Sequence, residues 1–222
     1  MLVEERIETN GIPARLYLPG RPKGLLLLGH GGGKSKDSER FIELSRLYAE
    51  STDLAVVCID AVDHGERKPV DLDDRLPAEW HSRSVRQMVD DWTATASALS
   101  WIGPPLAYVG FSMGSIFGIP VVESQTSIKV AVFVVGGVPS GGWIQDPPLR
   151  SLLLSAASRL SRPHVLMVNK TQDELFPVEG VQDLFTAIPG QDKSLSFWEG
   201  THDDWPPEAI DQTITFINSH LK

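Results

Sequence analysis

Hydrophobic residues along this chain fall into two kinds of run. Gly24-Leu-Leu-Leu-Leu-Gly29, Leu54–Ile59, Leu106–Val109, Lys129–Val135 and His164–Val168 show almost no polar alternation. Such runs read as strands buried on both faces, as in a parallel sheet covered by helices. Between them lie amphipathic stretches, read as helices near 37–51, 77–101, 148–160, 178–187 and 207–220. The longest carries Val85, Val89 and Trp92 on one face. A short helix follows Gly114, and a last strand lies near 194–198. Residues 2–9 and 12–18 alternate around Asn10-Gly11, a strong hairpin turn signal. Strand and helix patterns alternate from residue 24 onward. The pattern predicts the α/β class: a doubly wound, mostly parallel sheet with helices on both faces and the antiparallel hairpin at its edge. Residues 60–78 are polar and read as a solvated surface loop, with a flap carrying His64, Arg67 and Lys68 as the alternative. No Pro/Gly/Ser-rich linker divides residues 1–222, so one domain is expected.

Composition narrows the chemistry. The 222 residues include one cysteine, which excludes an intramolecular disulfide and any cysteine-cluster zinc site. Cys58 falls inside a strand and reads as structural. The formal net charge of -9 argues against nucleic acid or an anionic membrane surface as partner. The longest apolar run, Leu25–Leu28, is far short of the roughly 20 residues of a membrane span. Met1–Glu8 alternates apolar and charged residues, unlike a secretory signal, so a cytoplasmic setting is expected. A small-molecule substrate is the expected partner, with a monomer or homodimer as the assembly.

The sharpest motif is Gly110-Phe-Ser-Met-Gly114, a G-x-S-x-G placed where a strand turns into a helix. A nucleophile elbow needs that context, because its strained turn leaves no room for side chains beside the serine. A serine also needs a base and a group that orients the base. Asp173 and His202 follow Ser112 in chain order, each just past a predicted strand, so all three fall on the carboxyl edge where α/β sheets build sites. Asp173 also reads as a possible helix cap, with Glu174 as the rival acid. His81, His164 and His220 fall outside the late strand-to-helix loops. His30-Gly-Gly-Gly33 directly follows the leucine strand. Glycines let backbone N–H groups approach a developing oxyanion. Gly32 and Met113 are the expected donors, helped by Gly31, while His30 reads as structural. A competing reading takes Gly29–Ser35 and Asp60 as a phosphate loop with a magnesium aspartate. The spacing G-x-x-x-x-G-K-S/T is missed, since Leu28 stands where the first glycine belongs.

These segments, together with Asp60-Ala-Val-Asp-His-Gly65, resemble the α/β-hydrolase superfamily, most of all its small single-domain esterases of the dienelactone-hydrolase and prolyl-oligopeptidase-like kind. The resemblance covers about residue 12 to the end. It departs from the family's D-x-x-G-H-G loop at Asp63, where glycine is usual, and from dienelactone hydrolases in having Ser112 rather than a cysteine. It implies a serine acyl hydrolase: Ser112 as nucleophile, His202 as base, Asp173 as its orienting acid, and no metal or organic cofactor. Between the strands ending near 135 and beginning near 164 there is room for a minimal lid only, which favours small esters. Phe111, Trp143, Phe176 and Trp205 adjoin the predicted site and are candidate pocket walls. Peptidase and thioesterase activities share the fold, and a non-catalytic ligand-binding protein is the alternative of another class.

Overall fold

The computed structural model describes residues 1–70, 77–139, 144, 146–190 and 192–221. Two antiparallel strands, β1 (Val3–Thr9) and β2 (Ile12–Leu18), open the chain, and β3 (Leu25–Gly29), α1 (Glu39–Thr52) and β4 (Ala55–Ile59) follow. Then come α2 (Trp80–Ala98), β5 (Leu106–Phe111), α3 (Met113–Ser124), β6 (Ile128–Val134) and α4 (Pro147–Ala157). The chain ends with β7 (His164–Lys170), α5 (Val178–Ala187), β8 (Lys193–Trp198) and α6 (Pro207–His220). The strands form one eight-stranded sheet in the order β1-β2-β4-β3-β5-β6-β7-β8. β2 runs antiparallel to both β1 and β4, and the remaining pairs are parallel. The hairpin turn has Asn10 at φ 53° and Gly11 at φ 80°, the left-handed pair that a two-residue turn requires. It leaves β1 as a charged outer edge, bearing Glu4, Glu5, Arg6 and Glu8, which discourages pairing with another chain.

The leucine run is uniformly apolar because both faces of the sheet are covered. Leu25 and Leu27 enter the core under α2, α3, α4 and α5, while Leu26 and Leu28 enter the core under α1 and α6. Tyr108 and Val109 of β5 divide in the same way. Cys58 is fully buried on the α1 and α6 side, and burial pushes its thiol pKa well above the ordinary range. It is inert by position.

Strand order places the site. β3 lies between β4 and β5, with Gly29 opposite Gly110. The connections leaving β3 and β5 depart to opposite faces, α1 on one and α3 on the other. A crevice therefore opens at their carboxyl ends, the usual ligand position in α/β sheets. α3 presses into the sheet there: a Cβ on Gly118 would strike the Tyr108 ring. Gly118→Ala is expected to lower stability by roughly 1–3 kcal/mol in urea unfolding through overpacking; an unchanged midpoint would contradict this close approach.

Candidate active site

Ser112 joins β5 to α3 with φ 53° and ψ -111°, a conformation that costs a non-glycine residue about 1–3 kcal/mol. Packing fixes it. Ser112 N–H donates to Val134 O at 2.9 Å, and its carbonyl accepts from Ser115 N at 2.8 Å. Ser115 Oγ donates to Gly110 O at 2.6 Å, with Val134 O 2.9 Å away. A Cβ on Gly110 would meet the Gly114 carbonyl, and one on Gly114 would meet the Gly29 carbonyl. The glycine spacing is thus required by backbone contact. Val135 next to it also has positive φ, 41°, held by its N–H to Val168 O at 2.8 Å and by Gly136 N–H to Asn169 Oδ1 at 3.0 Å.

The turn after β7 brings Asp173 to His202. Asp173 Oδ1 accepts from Leu175 N at 2.8 Å and Phe176 N at 2.9 Å, while Oδ2 lies 2.8 Å from His202 Nδ1. The carboxylate therefore both caps the local turn and faces the imidazole. His202 Nε2 lies 2.9 Å from Ser112 Oγ. A carboxylate only accepts, so Nδ1 carries the proton and Nε2 accepts the Ser112 hydroxyl. The Asp173 side chain is fully buried and that of His202 is 10% exposed. Glu174 approaches the backbone N–H of His202, at 3.4 Å, rather than its ring.

Sequence reasoning missed the residues that hold the His202 loop. Lys170, buried at the end of β7, donates from Nζ to Glu199 O at 2.5 Å. Asp204 accepts from Thr201 N and Thr201 Oγ1, each at 2.9 Å, and these bonds hold its carboxyl below the usual range. The available signal was a lysine closing a strand whose centre, Val165–Val168, is apolar.

The loop after β3 lies against the elbow. A Cβ on Gly31 would sit 3.7 Å from Ser112 Cβ, whereas one on Gly32 would meet nothing within 4 Å. Gly33 has φ 66°. Met113 is the first residue of α3 and is buried, so its N–H has no partner within the helix.

No protein-family model and no curated protein matches this sequence. Solved structures do match. A cold-adapted esterase from an Arctic intertidal metagenomic library superposes with TM-score 0.82 at 26% identity, covering 99% of this chain and 93% of that one. The Pyrococcus furiosus esterase Pf2001 gives 0.76 at 15% identity over 100% and 93%. An α/β hydrolase from Penicillium sp. sh18 gives 0.71 at 16% over 100% and 99%. The chain has the α/β-hydrolase fold.

Within this fold two expected pocket walls are core residues. Phe111 is 4% exposed and packs edge-on to Phe41 and Trp205, centroids 5.8 and 6.0 Å apart. Phe176 is fully buried, with its ring 5.8 Å from the His202 imidazole, so it backs the histidine. Trp205 is half-buried, with the Arg40 guanidinium and the Lys170 ammonium each 5.9 Å from its ring. Trp143 lies outside the described residues.

The described part of the segment after β4, residues 60–70, also corrects the sequence reading. It is not simply a solvated loop, because His64 is 6% exposed and a 3-10 turn spans Gly65–Arg67. Arg67 Nη1 bonds Asp60 O at 3.0 Å and Asp91 Oδ2 at 2.7 Å. Asp63 takes φ 57°, a conformation Asp tolerates better than most residues. Its carboxylate accepts from Trp80 Nε1 at 2.7 Å, so the residue in place of glycine keeps the turn and gains a contact. The phosphate-loop reading fails on geometry. Lys34 is exposed, and the fully buried Asp60 carboxylate bonds Lys36 N, Lys36 Nζ and Glu66 N, each at 2.9 Å. Burial opposes the Lys36 charge, but bonds to Glu66, Asp37 and Asp60 raise its pKa overall. Among the described residues no group of His, Cys, Asp and Glu is arranged to hold a metal ion, and no helix is long and apolar enough to cross a membrane.

His30 is a structural staple. Its Nε2 accepts from Ala61 N at 3.0 Å, which leaves the proton on Nδ1, 2.9 Å from Gly31 O. Burial lowers its pKa from 6.5 to about 4, and burial lowers those of His81, to about 4, and His64 as well. The unfolded chain therefore binds protons first as the pH falls. The stabilisation by neutral His30, worth about 3 kcal/mol, is fully present above pH 6.5 and is lost as the pH falls toward 4. Urea unfolding is expected to show stability declining across that window, with a shallower decline for His30→Gln; equal slopes would contradict the assignment.

Proposed function

We propose that this protein is an α/β hydrolase and a serine esterase that cleaves small carboxylic esters through an acyl-enzyme. One observation carries the reading: Ser112 Oγ, on a strained elbow, lies 2.9 Å from His202 Nε2, while Asp173 Oδ2 lies 2.8 Å from His202 Nδ1. Ser112 Oγ attacks the ester carbonyl carbon as its proton passes to His202 Nε2. The carbonyl π electrons move onto oxygen, where the backbone N–H groups of Met113 and Gly32, helped by Gly31, stabilise the charge. Collapse of the tetrahedral intermediate breaks the ester C–O bond, and the leaving alkoxide takes the proton from His202. Water then attacks the acyl-enzyme by the same steps and releases the acid and free Ser112. Asp173 orients the imidazole and stabilises its cationic form. It does so without receiving a proton.

The esterase neighbours support this chemistry, and the limited chain between β6 and α4 supports small substrates over long acyl chains. Wild-type protein is expected to hydrolyse p-nitrophenyl acetate and to be labelled on Ser112 by an organophosphate. Ser112→Ala and His202→Ala should each lower kcat by about 10³-fold or more. Asp173→Asn should be strongly impaired, while Glu174→Gln stays within about threefold. Absence of both turnover and labelling in the wild type would refute the function; strong loss in Glu174→Gln with activity retained in Asp173→Asn would reassign the acid.

A further inference from the structure

We infer that Lys36 and Asp60 are positioning residues that clamp the glycine loop so that its N–H groups stay aimed at the oxyanion, an inference that rests on the esterase reading above. Three successive glycines, Gly31–Gly33, carry the largest backbone freedom of any residue type. Oxyanion stabilisation, by contrast, depends on donors that are already in place. Something outside the loop must hold it, and the structure shows its two ends tied to adjacent residues, His30 to Ala61 and Lys36 to Asp60.

At the entrance, the fully enclosed His30 accepts the Ala61 N–H at 3.0 Å. At the exit, Lys36 is 2% exposed and bonds Asp60 twice, from its backbone N–H to Oδ1 and from Nζ to Oδ2, each at 2.9 Å. Asp60 is 0% exposed. Lys36 Nζ also reaches Asp37 Oδ2 at 2.9 Å and Glu66 Oε1 at 2.6 Å. Asp37 in turn pairs with Arg15 on β2 at 2.5 Å and with Arg6 on β1 at 2.9 Å. The loop thus spans from His30 to Lys36, with both ends fixed to the end of β4. Gly65 packs closely against the Asp60 carboxylate, which a Cβ at that position would strike.

A pair that served folding alone would change stability and leave the chemistry of folded molecules untouched. A positioning pair changes the transition state more than the ground state. The decisive measurement compares wild type, Lys36→Met, the isosteric Asp60→Asn and, as a control on the exposed rim of the network, Arg6→Gln. Each is assayed for kcat and KM on p-nitrophenyl acetate and for inhibition by an aryl boronic acid, which bonds Ser112 Oγ and places a boronate oxygen at the oxyanion position. The folded fraction is read by near-ultraviolet circular dichroism.

Lys36→Met and Asp60→Asn are expected to lower kcat per folded molecule by about tenfold or more, short of the roughly 10²–10³-fold seen when an oxyanion donor is removed outright. Boronate affinity should weaken in parallel, KM should stay within about threefold, and Arg6→Gln should match wild type. If Lys36→Met does not fold, Asp60→Asn alone decides. Unchanged kcat and boronate affinity in the folded variants would overturn the inference while leaving the esterase reading intact. A wild type with neither turnover nor organophosphate labelling would overturn both.

Discussion

The carboxyl edge of this sheet depends on a meeting of three glycine backbones. Gly110 and Gly114 bracket Ser112, and Gly29 of the neighbouring strand lies against Gly114. With no Cβ among them, α3 approaches β3 and β5 closely enough for the chain to turn at once from strand to helix. The turn forces Ser112 to φ 53°, and that conformation lifts its hydroxyl out of the sheet toward His202. The same approach sets the first N–H groups of α3 beside the hydroxyl. Tyr108 reinforces it, donating from its hydroxyl to Gly114 O at 2.7 Å. The strain at Ser112 and Val135 persists because hydrogen bonds from the surrounding strands over-determine both positions.

Charge is organised differently from what a net acidic chain suggests. Two lysines are almost wholly enclosed at the site's margins, Lys36 at 2% and Lys170 at 1% exposure. A buried ammonium is tolerable only with acceptors around it. Lys36 has three carboxylates, and Lys170 has the Glu199 carbonyl and the Trp205 face. Each braces a loop that comes to Ser112 from elsewhere in the chain, the glycine loop in one case and the His202 loop in the other. The buried imidazole of His30 links the glycine loop to Ala61, and that of His64 bonds Val62 O within its own turn; burial lowers the pKa of both, which makes the margin of the site sensitive to acid.

Aromatic rings near the site have been drawn into its support. Phe176 backs the His202 ring and Phe111 anchors the elbow against Phe41 and Trp205. Rings that adjoin reactive residues in sequence point into the core because the strand or turn that presents the reactive side chain faces its neighbour the other way. Adjacency in sequence was for that reason a poor guide to pocket walls.

The sequence by itself determined the sheet, its two covered faces and the hairpin edge, because uninterrupted apolar runs leave a strand no exposed face. It also singled out Ser112, Asp173 and His202, since a strand-to-helix glycine motif and two strand-end loops can meet only at one edge of a parallel sheet. Only the tertiary structure showed that Asp173 reaches the His202 ring while Glu174 reaches its backbone N–H. It alone showed that Asp173 is both cap and imidazole partner. It also brought out Lys36, which the sequence reading had not singled out. The role of a charged residue depends on which groups fold around it, and two of the three carboxylates around Lys36, those of Asp60 and Glu66, come from a segment that no local pattern connects to it.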